Sequence, residues 1–224
     1  MHTFSGVMLQ SNRLGSIAGY LSPVIALVFI VAAILSYPPF SWTNNALSDL
    51  GVVPGLTSIL FTVGLVGAGV SALLFAVLGL YRFTKQSPLG KAGSVLFAAS
   101  TVALICIGVF NEDYTPTHYL VSVAFFVLAP IAGFTLTYVF WRGGMRRIAA
   151  VTILLAGIAA ATWILQFTVG YVPNVAIPEA ISAAAISAWV IVISTKLLRS
   201  ERVSLTVQAA FYLHLAQPDT SAQQ

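Results

Sequence analysis

Ser48, Asp49, Asp113, His118 and Glu179 are the residues of this chain best suited to chemistry, and all lie at or near connections between long apolar runs. A serine, a histidine and an aspartate are the types that acyl transfer needs: a hydroxyl nucleophile, its base and the group that orients the base. Ser48, His118 and Asp113 supply those types, but no Gly-x-Ser-x-Gly elbow surrounds Ser48. Asp49, Asp113, His118 and Glu179 offer a second constellation, a divalent-cation site. His2 and His214 fall beside the opposite set of connections, so His118 is the one histidine on hand. Oxygen ligation of the calcium or magnesium kind is then easier than zinc. The strongest candidates are Asp49, as hydrogen-bond acceptor or cation ligand, and His118, as proton carrier or ligand. Trp42, Asn45 and Glu179 are candidates for binding a substrate. For Glu179 a place in the first turn of a helix is explanation enough, because the helix dipole favours an anion there by about 0.3–1 kcal/mol. No phosphate loop, nucleotide fingerprint or haem-binding histidine pair is visible. No cofactor is identified, and a divalent cation is what the residue types admit.

The elements that must hold these residues follow from composition. The 224 residues are 58% hydrophobic and 7% charged, whereas soluble domains carry about 25% charged residues. Crossing about 30 Å of hydrocarbon takes roughly 20 helical residues. Runs at about 14–36, 56–81, 91–110, 117–141, 148–171 and 177–198 meet that length. The sequence therefore predicts an all-α, polytopic integral membrane protein with six transmembrane helices over residues 1–202. Residues 203–224 are expected to form a cytoplasmic tail, amphipathic to about Leu215 and then disordered. The uncharged first run is too long for the core of a signal peptide and reads as a retained span.

Charge orients the ladder. Arg13, then Arg82, Lys85 and Lys91, then Arg142, Arg146 and Arg147, then Lys196, Arg199 and Arg202 fall at alternate ends of the runs. The other connections carry Asp49, Glu112, Asp113, His118 and Glu179 with no Lys or Arg. Cytoplasmic loops retain Lys and Arg, so both termini are expected in the cytoplasm and the acidic loops outside, in a multi-pass protein of the plasma membrane. The net charge of +4 belongs to this juxtamembrane arrangement and points to lipid rather than nucleic acid. The single Cys106 can form no intrachain disulfide. Tyr37, Trp42, Tyr81, Tyr114, Tyr119, Trp141 and Tyr171 fall near predicted span ends, where an aromatic belt belongs. Gly64, Ala68, Ala72 and Ala76 in span two, and Ala180, Ala184 and Ala188 in span six, are spaced to form close-packing faces. Pro130 is placed to kink span four.

The segment Leu47, Ser48, Asp49, Leu50, Gly51 after span one, the Gly108, Val109, Phe110 ending followed by acids, and His118 ahead of Phe125 and Phe126 carry a resemblance. Together they resemble the prokaryotic family catalogued as domain of unknown function 998 (DUF998), over nearly all six spans. More distantly the chain is similar to the eukaryotic Frag/DRAM/Sfk family of six-span proteins, in which a Ser-Asp-Thr-Gly motif occupies the corresponding loop. Leu50 stands where that Thr would be, so a role for its hydroxyl does not transfer. The distant resemblance implies association with lipid remodelling or organisation.

The leading expectation is thus a lipid-associated protein that recognises or modifies a headgroup at its acidic face, with membrane lipids as partners. A small-solute or ion transporter and a non-catalytic membrane scaffold are the alternatives. The sequence names neither a reaction nor an oligomeric state. The orientation itself is testable. In a Cys106→Ser background, single cysteines at Asn44 and Arg146 should react with an impermeant maleimide from opposite sides of sealed vesicles; reaction from one side would overturn it.

Overall fold

The computed structural model describes residues 2–215, with side chains described over 12–200. The expected disorder of 217–224 lies outside the described residues. Six long helices run α1 (His2–Leu35), α2 (Leu56–Thr84), α3 (Pro88–Val109), α4 (Thr117–Arg142), α5 (Arg146–Val169) and α6 (Ala176–Leu215). Each contains a stretch long and apolar enough to cross a membrane, and no strand occurs among the described residues. Helix is the form such runs take in hydrocarbon, because it satisfies every backbone group within the segment. The stretch after Arg202 simply continues α6 to Leu215.

Every helix packs on its neighbours in sequence, and α6 closes the series by packing on α1. The result is a ring of six antiparallel helices. Its acidic end carries the connections 36–55, 110–116 and 170–175; its basic end carries the turns 85–87 and 143–145. Local signals set these boundaries. Pro88 opens α3, and the Ser87 hydroxyl ahead of it accepts from Gly90 N at 3.4 Å. Gly170 closes α5 in the left-handed region at φ 63°, a conformation that favours glycine. Pro130 sits inside a continuous α4 and is buried, and a second proline, Pro23, sits inside α1.

The interior has two layers. Towards the basic end Phe75, Phe97 and Trp189 meet edge to face, with centroid separations of 6.0, 6.5 and 4.9 Å. Leu80, Leu136, Phe140 and Ile193 are fully buried around them. Trp189 Nε1 donates to Thr152 Oγ1 at 3.1 Å, so its one polar atom is satisfied by α5. Towards the acidic end a second cluster holds Leu50, Phe61, Leu65, Ile107 and Phe125.

Close approach relies on small residues, since lipid gives helices no hydrophobic drive to associate. In α2 the expected row is buried throughout, at Gly64, Ala68, Ala72 and Ala76. In α6 the expected row is not the inner one. Ala184 is exposed while Ala180 and Ala188 are half-buried; Ser182, Ala185, Trp189 and Ile193 face inward instead. Large residues on the neighbouring row, Trp189 and Ile193, fill the ring better than alanines, and they set the rotation. A close backbone crossing lies between α1 and a π-helical turn in α2, Phe75–Leu80. A Cβ at Gly15 would stand 2.6 Å from Gly79 N and 2.8 Å from its Cα, both rigid backbone atoms. Gly15→Ala should therefore lower stability by about 1–3 kcal/mol. Gly157→Ala, which meets nothing within 4 Å, should be neutral or slightly stabilising. Thermal unfolding of both variants in one detergent checks the contrast.

Candidate functional site

The acidic end is a lid made of three connections bonded to one another. In the first, the 3-10 turn Ser48–Gly51 follows a loop that folds on itself. Asp49 Oδ2 accepts from Asn45 Nδ2 at 2.6 Å and from Ala46 N at 3.1 Å. Asn45 Oδ1 in turn accepts from Ser41 N at 2.9 Å. Short Asn and Asp side chains reach nearby backbone in this way, which is why they suit tight loops. The third connection lies against the first: Asn174 N donates to Thr43 O at 3.1 Å, Asn174 Nδ2 to Asn44 O at 2.8 Å, and Ala176 N to Asn45 O at 3.0 Å. The second joins through Asn111 Nδ2, which donates to Gly51 O at 3.2 Å.

Glu179 fastens this lid to the bundle. It stands in the first turn of α6 and is 9% exposed. Its Oε2 accepts from Leu47 N at 2.6 Å, just ahead of the 3-10 turn, and the Ser48 side chain also bonds to it. The other ionisable groups that act on it are Glu112 and Asp49, both acidic. The carboxylate therefore has hydrogen-bond donors but no cation beside it among the described residues.

Beneath Glu179 and Ser48 a cavity of about 120 Å³ runs into the ring. Carbon lines most of it, with Phe61, Phe97, Phe125 and Phe126 among its walls. Phe125 and Phe126 meet edge to face at 4.8 Å. Helices α1, α2, α3, α4 and α6 all contribute, and Ser22, Thr101, Ser122 and Ser187 add hydroxyls. The aromatic layer at Phe75, Phe97 and Trp189 closes the ring beyond it.

His118, 7% exposed, opens α4 and turns back on α3. Its Nδ1 lies 2.7 Å from Phe110 O, and a carbonyl only accepts, so Nδ1 carries the proton. Its Nε2 has Ser122 Oγ at a long 3.5 Å, and Ser122 lines the cavity. His118 thus ties off the last turn of α3 and meets the cavity only through Ser122.

Of the candidates read from sequence, Asn45, Ser48, Asp49 and Glu179 come together. Asp113 is exposed on the turn Glu112–Tyr114. Trp42 is 47% exposed and packs edge to face on Phe40 at 5.3 Å. No hydrogen bond joins Ser48, His118 and Asp113, because the histidine proton that would orient on Asp113 goes to Phe110 O. Among the described residues no three His, Cys, Asp or Glu side chains group as metal ligands. Sequence reading missed Ser122, Phe126 and the stapling role of Asn111 and Asn174. An asparagine close to the end of an apolar run, at Asn111 and at Asn174, was the available signal.

The sequence pattern described as a protein of unknown function (DUF998) matches residues 20–196. No curated protein and no solved structure matches the chain.

The lid geometry makes Asp49 an organiser of its own loop. Asp49→Ala should cost about 1.5–3 kcal/mol of local stability, the range for bonds to a charged group. Faster amide exchange at Ala46, with exchange in α3 and α5 unchanged, is the expected signature.

Proposed function

The chain belongs to the DUF998 family, and we propose that it is a lipid-associated membrane protein that receives the amine-bearing headgroup of a lipid beneath its lid. The observation that carries this reading is a buried carboxylate with no counter-cation, placed at the roof of an aromatic cavity. A buried carboxylate carries a desolvation penalty of several kcal/mol unless it is paired or takes up a proton, so an ammonium group beneath the lid would hold Glu179 in its ionised form. Phenyl faces attract ammonium and methylated ammonium groups, and water exclusion strengthens that attraction. A cavity of about 120 Å³ is close in size to an engineered one that holds benzene, so it suits a compact headgroup rather than an acyl chain.

Depth supports a lipid source. Glu179 lies in the first turn of a spanning helix, where headgroups meet hydrocarbon. From the distribution of Lys and Arg we read this end as extracytoplasmic, and we propose the plasma membrane as the location. The more distant resemblance to the Frag/DRAM/Sfk family, with its lipid associations, points the same way. In this reading Asp49, Asn45 and Asn174 build the lid, Glu179 and Ser48 meet the ligand, and Ser122 links the cavity to His118.

Glu179→Gln separates binding from folding, since the amide oxygen can still accept from Leu47 N while the charge is lost. Any rise in unfolding temperature in detergent with phosphatidylglycerol, which has no amine, should be the same with and without the substitution; with phosphatidylethanolamine the temperature should rise for the native protein. The variant should unfold within a few degrees of the native protein without lipid, yet lose the rise. An equal response in the variant would refute the assignment.

A further inference from the structure

We propose that a cleft at the basic end, between the α2–α3 turn and the end of α4, binds the phosphate of an anionic phospholipid, with Arg142 as its principal contact. This site is independent of Glu179 and lies at the other end of the ring. The cleft has a volume of about 390 Å³ and is lined by Phe83, Gln86, Ser87, Tyr138, Arg142 and Met145 among others.

Its two walls differ in chemistry. Gln86, Ser87 and Arg142 offer donors to a phosphate, whereas Phe83, Tyr138 and Met145 form an apolar wall suited to the start of an acyl chain. Tyr138 and Arg142 are four residues apart on α4, so they share one helix face and present a ring beside a guanidinium. Both are exposed. Phe83 and Phe140, 6.1 Å apart, back the cleft and fix its floor.

Charge selects the occupant. Arg142 has no ion pair or hydrogen bond to a side chain among the described residues. Lys85 flanks the cleft on one side; Arg146 and Arg147 flank it on the other. Arg146 is held over the Trp141 ring at 5.7 Å. The four acids among residues 12–200, Asp49, Glu112, Asp113 and Glu179, all belong to the opposite end. Among residues 12–200 no anion at this end competes for these cations, and a guanidinium suits the fork geometry of a phosphate. The apolar wall makes the source a lipid rather than free phosphate, because a soluble anion would leave that wall unused.

Native mass spectrometry of the full-length protein in detergent tests this, with phosphatidylglycerol and phosphatidylcholine supplied in equal amounts. The native protein should retain phosphatidylglycerol with a preference of at least about fivefold, the effect of one cation at an anionic surface. Arg142→Gln should abolish the preference. Arg199→Gln, at the same end on α6, should keep it. Gln86→Trp, which fills the cleft and leaves every charge in place, should lower retention as well. Equal retention of the two lipids, an unchanged preference in Arg142→Gln, or displacement of the lipid by millimolar inorganic phosphate would each overturn the proposal.

Discussion

One carboxylate governs the acidic end. Glu179 is carried by a helix whose inner face must be apolar, and yet it is drawn inside the ring rather than left at the rim. Water cannot reach it freely, so its bonds have to come from protein, and the nearest donors are the backbone and side chain of Leu47 and Ser48. That requirement fixes the 3-10 turn over the mouth of the cavity. Once the turn is fixed, Asn45, Asp49 and Asn174 complete the loops around it. The carboxyl group therefore orders the very segment that shields it.

Much of the architecture was legible because bilayer physics is severe. Six uninterrupted runs between charged connections leave helix as the outcome, although α1 begins at His2, ahead of the run expected from about 14, and α6 continues to Leu215, past the run expected to end near 198. The side-by-side order of α2 with α3 and of α4 with α5 was also legible, since turns of three residues permit nothing else. The closure of α6 on α1 was not: the two are remote in sequence, and no local signal joins them. The rotation of α6 was misread for a physical reason. Alanine occupies both of its rows, so spacing could not decide between them; Trp189 and Ile193 decided by volume. The π-turn at Phe75–Leu80 left no trace in the pattern either, for it answers to Gly15 on another helix.

The candidate site was half legible. Residue type identified Asn45, Ser48, Asp49 and Glu179, and the fold brings them together. What type could not reveal was the division of labour. Asp49 looked like the free ligand and is occupied by its own loop, while Glu179 looked like a dipole-stabilised helix start and is the buried carboxyl group that holds the lid. His118 looked like a proton carrier, and its donor nitrogen is committed to the end of α3. In each case a backbone group took the side chain, and backbone groups are invisible in a list of residues.

The aromatic layer beneath the cavity has a consequence for the cell that holds this protein. Phe75, Phe97 and Trp189 are buried and meet edge to face, and the indole proton is spent sideways on Thr152. They lie across the ring as a septum lies across a tube, so apolar rings rather than polar side chains form the floor of the cavity. For the cell, this layer sets how deep a headgroup received beneath the lid, on the reading proposed above, could reach.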